Sequence, residues 1–296
     1  MQKLLAILVL VVSLFSTSPA LAAVGYLGPA GTFTEEVAQK YFTSPEEKFV
    51  IYKTVAESLQ ALKSEQIAFA VVPVENTLGG PVYKYLDDVL TSGDYQIVAE
   101  LNLPIRQQLF TLPNTGLTDI KTVYSHPQGL AQSRTWLNKN LPHAKLIETS
   151  STAEAVRLVA ESNDLSLAGI AGPQAGKVYP VKTLAEDLQI TRKNVTRFWV
   201  VKLVDPEAKP VKAGPKSTIY FKASANDVAV ALQNLLKAGY TLDTIHDQPA
   251  KTVLGEYNFL LELNNKNAKK SLKDALKDLN NDVVYYIMGE YPVFNY

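Results

Sequence analysis

The amino-acid sequence predicts an α/β protein with a second, smaller α/β unit at its C-terminal end. Short apolar strands alternate with amphipathic helices up to residue 204, the order typical of a largely parallel sheet. Residues 205–216 (DPEAKPVKAGPK) combine three Pro with mixed charge, as interdomain linkers do. Beyond them, strands and helices follow in the order βαββαβ, which predicts a ferredoxin-like unit over residues 217–296.

Composition and charge exclude several classes of protein. The 296 residues include 29 basic and 29 acidic side chains, which argues against a nucleic-acid binder and a polybasic membrane-surface protein. There is no Cys, which excludes disulfides, thiolate nucleophiles and iron–sulfur clusters. The three His (His126, His143 and His246) do not stand at metal-ligand spacing, so we expect no metal site.

The N-terminus predicts a targeting segment. Lys3 precedes the apolar run Leu4–Phe15, and Ala20-Leu21-Ala22 supplies small residues at a cleavage site. The run is too short to span a bilayer of about 30 Å. We therefore expect a signal peptide over residues 1–22, export across the inner membrane into the periplasm, and a mature chain from Ala23. An uncleaved anchor or a buried N-terminal helix is the alternative.

The first predicted strand, Val24–Leu27, runs into a Gly- and Pro-rich loop that ends at Gly31. Thr32 stands three residues before Glu35, which predicts a capped helix to about Phe42. The loop is equally compatible with a plain turn and with an anion site, because backbone N–H groups at a helix start can hold a carboxylate.

Polar residues follow several other predicted strands. Ile67–Val74 is apolar throughout, which predicts a buried parallel strand, and Glu75, Asn76 and Thr77 come directly after it. Open α/β sheets bind ligands at the carboxyl ends of their strands. Further strands are predicted at Val98–Leu103 and Leu167–Ala171.

Two more strand ends have helix starts beside them. Ser125 and Gln128 have N-cap and N3 spacing, and Gln132 lies on the same helix face as Gln128. Ser151 and Thr152 precede a helix to about Glu161. The last strand of this part, Thr196–Val204, carries Thr196 and Arg197 at its start. Together these residues predict a cleft lined with neutral hydrogen-bonding groups.

These segments together resemble the prephenate dehydratase family. The resemblance covers essentially all of the chain from Ala23 to Pro292. Its motifs, in the family's order, are GYLGPAGTFT (25–34), VPVENT (72–77), YSHPQ (124–128) with Gln132, STAEA (151–155), TRF (196–198) and, in the C-terminal unit, LGEY (254–257).

The resemblance implies a two-lobed catalytic domain over residues 23–204, laid out like a periplasmic binding protein, and a C-terminal ACT regulatory domain. It implies conversion of prephenate to phenylpyruvate in phenylalanine biosynthesis, without metal or organic cofactor, by a homodimer or homotetramer. Two alternatives stay open: arogenate as the substrate, or an exported small-molecule binding protein of similar fold.

The resemblance also implies roles for individual residues. Thr196 is expected to donate to the leaving oxygen, as a positioned donor or proton relay. Arg197 suits a substrate carboxylate, and a structural ion pair is its alternative. Glu75 is expected to orient other groups or to have a pKa raised by burial. Asn76, Ser125 and Gln132 complete the expected catalytic set. The expected substrate-binding residues are Gly31, Thr32, Phe33, Thr77, Ser151, Thr152 and Phe198.

The C-terminal unit departs from the family at its amino-acid site. Asn226 aligns with a Gly of the family, and Gln248 aligns with an Arg. We therefore expect phenylalanine to inhibit weakly or not at all.

Overall fold

The computed structural model describes residues 23–205 and 214–296. The predicted signal peptide and most of the predicted linker lie outside the described residues. In the part that is described, no helix is long and apolar enough to cross a membrane.

The chain first builds most of one lobe. Its elements are β1 (Ala23–Leu27), α1 (Phe33–Tyr41), β2 (Lys48–Tyr52), α2 (Val55–Lys63), β3 (Phe69–Asn76), β4 (Gly80–Pro81), α3 (Tyr83–Leu90) and β5 (Tyr95–Pro104). It then crosses into a second lobe. The elements there are β6 (Gln108–Thr111), a 3-10 turn (Leu117–Asp119), β7 (Thr122–Ser125), α4 (Pro127–Asn140), β8 (Lys145–Glu148), α5 (Thr152–Glu161), β9 (Leu167–Ala171), α6 (Pro173–Val178) and β10 (Lys182–Ala185).

The chain returns to the first lobe as β11 (Val195–Leu203) and then enters the C-terminal unit. That unit contains β12 (Lys216–Lys222), α7 (Ala225–Lys237), β13 (Thr241–Pro249), β14 (Tyr257–Asn264), α8 (Leu272–Leu276) and β15 (Val284–Tyr291), and β16 (Val293–Asn295) follows it. The strand order β13-β14-β12-β15, with antiparallel pairing throughout, is the ferredoxin-like arrangement that the sequence predicts.

The prediction of a largely parallel sheet is wrong. The first lobe has the order β16-β5-β11-β3-β1-β2, and β11 runs antiparallel to both β3 and β5. In the second lobe, β6 runs antiparallel to β9 and β10. The apolar run of β3 is buried as expected, but burial does not determine strand direction. Because the chain comes back from the second lobe as it enters β11, this strand runs in the opposite direction to its neighbours β3 and β5.

Two short segments connect the lobes and are hydrogen-bonded to each other. The outgoing segment is 105–107, and the returning segment is 186–194. The backbone N–H of Ile105 donates to the carbonyl of Asn194 at 2.8 Å, and that of Leu188 donates to the carbonyl of Gln107 at 2.9 Å. The two-lobed layout expected from the sequence is confirmed, with these segments at the base of the cleft between the lobes.

The C-terminal unit packs directly on the first lobe. Tyr220, Leu260 and Met288 of its sheet share one buried cluster with Trp199 and Val201 of β11. The chain end returns as well, because β16 pairs in parallel with β5 and closes that edge of the sheet. The sequence did not predict β16, since three residues are too few to show a period.

Candidate active site

The cleft between the lobes has a volume of about 370 Å³, which is within the range of roughly 300–1,000 Å³ of small-molecule sites. It is lined mostly by uncharged groups from both lobes. The polar residues that line it are Thr32, Thr34, Glu75, Asn76, Gln107, His126, Gln128, Gln132, Ser150, Ser151, Thr152 and Thr196.

Asn76 and Thr196 form the centre of the hydrogen-bonding network in this cleft. They lie directly opposite each other on β3 and β11, so their side chains project from the same face of the sheet. The Nδ2 of Asn76 donates to Thr196 Oγ1 at 2.9 Å and to Asn194 Oδ1 at 2.9 Å. Its Oδ1 accepts from the backbone N–H groups of Leu78 and Gly79. The amide is thereby fixed with its donor end towards the Thr196 hydroxyl.

This bond determines what the Thr196 hydroxyl can do. The oxygen already accepts a hydrogen bond from Asn76, and no other protein partner for it is found within the described residues. Its proton is therefore free to be donated to a group in the cleft. A hydroxyl that accepts one bond is also a stronger donor in the next, because successive hydrogen bonds polarise one another.

Arg197 projects from the opposite face of β11, since side chains alternate along a strand. Its NH1 lies 2.5 Å from Glu262 Oε2 and 3.0 Å from Glu100 Oε2. Its Nε lies 3.0 Å from Glu75 Oε2, an ion-pair distance without the alignment of a hydrogen bond. Lys216 adds a second cation to Glu100 and Glu262. The geometry therefore favours the alternative considered for Arg197, a structural ion pair.

Arg197 and Glu262 stabilise each other's ionised forms. Burial raises the pKa of Glu262, but Arg197 and Lys216 outweigh burial and hold the pKa below its usual value. Burial likewise lowers the pKa of Arg197, and Glu262 and Glu100 more than offset it. The Glu262 side chain is fully buried, and it ties the C-terminal sheet to the strand that carries Thr196.

Three helices begin at the cleft. Thr32 caps α1 by accepting from the N–H of Glu35, and Ser151 caps α5 by accepting from that of Glu154. The first residues of α4 line the cleft beside them. Each helix start carries a partial positive charge, equivalent to roughly half a unit charge. The cleft can therefore attract anions although Arg197 is occupied elsewhere.

Ser125 and His126 differ from the sequence-based expectation. Ser125 is fully buried, and its hydroxyl donates to the carbonyl of Ile170 at 2.7 Å, so it does not cap α4. His126 is the cap instead, because its Nδ1 accepts from the N–H of Gln128. Burial lowers the pKa of His126, with a smaller opposing effect of Glu148, and the neutral ring is the form that can accept this bond.

Contacts across the cleft hold the lobes together. Gln128 of α4 donates from Nε2 to Asn76 Oδ1 at 3.0 Å. Tyr179 donates to the carbonyl of Ala30 at 3.0 Å. Gly31 lies beside these contacts with φ +86°, and a Cβ there would come within 2.9 Å of Ala175 Cα. The glycine therefore permits a left-handed turn and a close approach of the lobes.

Comparison with known proteins identifies the family. The prephenate dehydratase family profile matches residues 24–205. The prephenate dehydratase of Lactococcus lactis subsp. lactis is 33% identical over 92% of this chain and 98% of its own length. The chain belongs to the prephenate dehydratase family.

Solved structures agree with this assignment. The prephenate dehydratase of Arthrobacter aurescens, in complex with L-Phe, has a TM-score of 0.81 and 28% identity, and the match covers 92% of this chain and 90% of that one. A protein described as a novel type of quorum quenching acylase, GqqA, has a TM-score of 0.77 over 92% and 98% of the two chains. At 20% identity, that likeness shows the shared fold alone.

Most of the site residues predicted from the sequence meet at the cleft. The residues that line it are Thr32, Phe33, Glu75, Asn76, Gln132, Ser151, Thr152, Thr196 and Phe198. Gly31, Thr77, Ser125 and Arg197 do not line it. Thr77 instead exchanges two hydrogen bonds of 3.1 Å with the backbone of Val195. Glu75 borders both the cleft and a second cavity of about 590 Å³ at Arg197.

Sequence reasoning missed Gln107 and Asn194. Both lie in the short segments that connect the lobes, where no periodic pattern marks a functional position. Gln107 donates from Nε2 to Gln132 Oε1 at 3.0 Å, and its own N–H donates to Gln189 Oε1 at 2.8 Å. The only available signal was the pair Gln107-Gln108, which begins three residues after β5 ends at Pro104.

Proposed function

We propose that the cleft catalyses the decarboxylating dehydration of prephenate to phenylpyruvate, the step that leads towards phenylalanine. The observation that carries the proposal is the Thr196 hydroxyl, which is held by Asn76 in a cleft between two lobes with its proton free to donate. The family assignment supports the same reaction.

The reaction needs little from the protein besides a proton donor and a rigid cleft. The ring carboxylate leaves as carbon dioxide, and its bonding electrons move through the ring and expel the hydroxyl on the far side. That hydroxyl takes up a proton and leaves as water, and the ring becomes aromatic. In this proposal, Thr196 donates to the departing oxygen. Because a free hydroxyl is a weak acid, Thr196 acts as a positioned donor or as a relay for a proton from water.

The substrate is a dianion, and a lining of mostly uncharged groups suits it. Backbone N–H groups at the starts of α1 and α5 can hold a carboxylate, together with the hydroxyls of Ser151 and Thr152. The Thr32 hydroxyl already donates to the carbonyl of Leu27. Hydrogen bonds from neutral groups hold the departing carboxylate without the strong stabilisation that a cation in the cleft would give. The location of Arg197 on the far face of β11 fits this requirement.

Assay of the purified chain from Ala23 onward tests this proposal. We expect phenylpyruvate from prephenate without added metal and no effect of EDTA, since the described ranges 23–205 and 214–296 contain no cluster of His, Asp and Glu suited to a metal ion. Absence of phenylpyruvate would refute the activity. Loss of activity with EDTA would refute the metal-free mechanism. A parallel assay with arogenate decides between the two substrates, and binding of prephenate without turnover would favour an exported binding protein.

We further propose that the C-terminal unit is an ACT-type domain and that the chain forms a homodimer or homotetramer. Val230, Leu236, Ile245 and Leu254 of this unit are exposed apolar side chains, which supports self-association. Light scattering on the purified chain tests this. A monomer at micromolar concentration would refute it.

Export into the periplasm also stays a proposal, carried by the N-terminal sequence alone. Fractionation of cells that express the full chain tests it, together with N-terminal sequencing of the product. A mature N-terminus at Ala23 in the periplasmic fraction is expected. A full-length chain in the cytoplasm would refute export.

A further inference from the structure

The amide of Gln132 is oriented by a second amide that no motif marks. Gln107 is 2% exposed and Gln132 is 4% exposed, and both line the cleft. The Nε2 of Gln107 donates to the Oε1 of Gln132 at 3.0 Å. Within the described residues, this is the one protein hydrogen bond of the Gln132 amide.

The direction of this bond determines which end of Gln132 is left for a ligand. A primary amide has an accepting oxygen at one end and a donating NH₂ group at the other. Because Gln107 donates, the oxygen of Gln132 is engaged and its NH₂ group remains free at the cleft. If the bond ran the other way, the free group would be a carbonyl oxygen, which repels the oxygens of a dianionic substrate.

Gln107 is itself held by the segments that connect the lobes. Its N–H donates to Gln189 Oε1 at 2.8 Å, and its carbonyl accepts from the N–H of Leu188 at 2.9 Å. Gln132 belongs to α4 of the second lobe. The side chain of Gln107 therefore links the base of the cleft to the helix that carries Gln132.

We propose that Gln107 is a positioning residue that fixes the Gln132 amide with its NH₂ group towards the cleft, where it binds an oxygen of the substrate. The proposal rests on the proposed function, because it concerns how that same site binds its substrate. Gln107 acts through Gln132. Gln107 matters because it holds the NH₂ group of Gln132 in the binding orientation before the substrate arrives, so that this group need not turn.

The variant Gln107→Glu tests the proposal, because the two charge states of the new side chain reverse the bond. A protonated carboxyl can still donate to Gln132 Oε1, whereas a carboxylate can only accept and forces the amide of Gln132 to turn around. Burial raises the pKa of a carboxyl towards neutrality, so both states are reached between about pH 6 and about pH 9. Relative to wild type, we expect the KM for prephenate to rise about tenfold across this range, the order of one lost hydrogen bond. In a Gln132→Met background there is no amide to turn, so Gln107→Glu should produce no such rise there. A rise of the same size in that background would show that the added charge repels the substrate and would overturn the proposal.

The variant Gln107→Met is the matched control, since it has similar length and can neither donate nor titrate. Its KM for prephenate should be raised by a factor that stays the same at every pH. A KM ratio of Gln107→Glu to wild type that does not change with pH would overturn the proposal. Should Gln107→Glu fail to fold, Gln107→Met decides alone, and an unchanged KM there would overturn it. A wild-type chain without activity would instead refute the proposed function, and this inference with it.

Discussion

Asn76 and Thr196 face each other across β3 and β11, and the amide of Asn76 donates a 2.9 Å hydrogen bond to the Thr196 hydroxyl. The backbone N–H groups of Leu78 and Gly79 hold the other end of the amide at 3.0 and 3.1 Å. The donor at the centre of the cleft is therefore oriented by backbone groups as well as by side chains. Two predictions depend on this relationship.

Replacement of Thr196 by Ala should lower kcat by about 10²–10⁴-fold, the usual range for a lost proton donor. The variant should fold, because Thr196 is only partly buried. Steady-state kinetics together with circular dichroism measure both properties. Thr196→Ser is the control and should keep most of the activity, since its hydroxyl can still accept from Asn76. An unchanged rate in Thr196→Ala would remove this residue from the mechanism.

Replacement of Asn76 by Asp should reverse the hydrogen bond to Thr196. A carboxylate oxygen cannot donate, so the Thr196 hydroxyl would turn to donate to it and would no longer donate to the substrate. We expect kcat to fall by about 10²–10³-fold, the loss seen when one preorganised donor is removed. Kinetics on the folded variant measure it.

Asn194→Asp is the matched control for this change. It places a carboxylate in the same network but keeps the acceptor that receives the Asn76 amide at 2.9 Å. Its kcat should fall less than that of Asn76→Asp. Equal losses in the two variants would mean that the added negative charge, and not the direction of the bond, determines the rate.

The ion pair between Glu262 and Arg197 predicts a pH-dependent stability. Replacement of Glu262 by Gln should lower the free energy of unfolding at neutral pH by up to about 3 kcal/mol, since it leaves buried cations with fewer partners. The pKa of Glu262 is lowered in the folded protein, so its contribution is present above its ordinary pKa and is lost as the pH falls through the folded value. The difference between wild type and variant should therefore shrink in acid below about pH 4.5.

Urea unfolding at several pH values measures this difference. Asp94→Asn provides the comparison, because the Lys63–Asp94 pair, at 2.7 Å, is exposed to solvent. Loss of this exposed ion pair should change the free energy of unfolding little. If Glu262→Gln and Asp94→Asn lowered the free energy of unfolding by the same amount, burial would not explain the contribution of the Glu262 ion pair.

Much of this site could be predicted from sequence, because motifs and element order mark its parts. Thr32 and Ser151 are the helix caps that their spacing predicts. The role of Arg197 could not be derived in the same way. Its partner Glu262 lies 65 positions away in another unit, and only the folded chain brings the two together. Strand alternation already places Thr196 and Arg197 on opposite faces, but the sequence does not tell which face borders the cleft.

The C-terminal unit is expected to respond weakly to phenylalanine. Asn226 is exposed in the first turn of α7, and its Cβ obstructs the close backbone approach that a Gly at this position would allow. Gln248 is 2% exposed on β13, and neither end of its amide has a partner within the described residues. A Gln also lacks the charge and the planar donor fork of the Arg that the resemblance implies at this position.

Titration of phenylalanine into the purified chain, followed by calorimetry and by activity on prephenate, tests this expectation. A ligand can shift a conformational equilibrium only through a difference in affinity between the two states. Without tight binding, there is no coupling free energy to carry from the C-terminal sheet to Thr196, even though Glu262 and Arg197 connect the two. We therefore expect no saturable heat and less than a twofold loss of activity at about 1 mM phenylalanine. This outcome corresponds to a Kd weaker than about 1 mM and a binding free energy below about 4 kcal/mol. Strong inhibition at micromolar phenylalanine would show that other residues have rebuilt the site and would contradict the expectation drawn from Asn226 and Gln248.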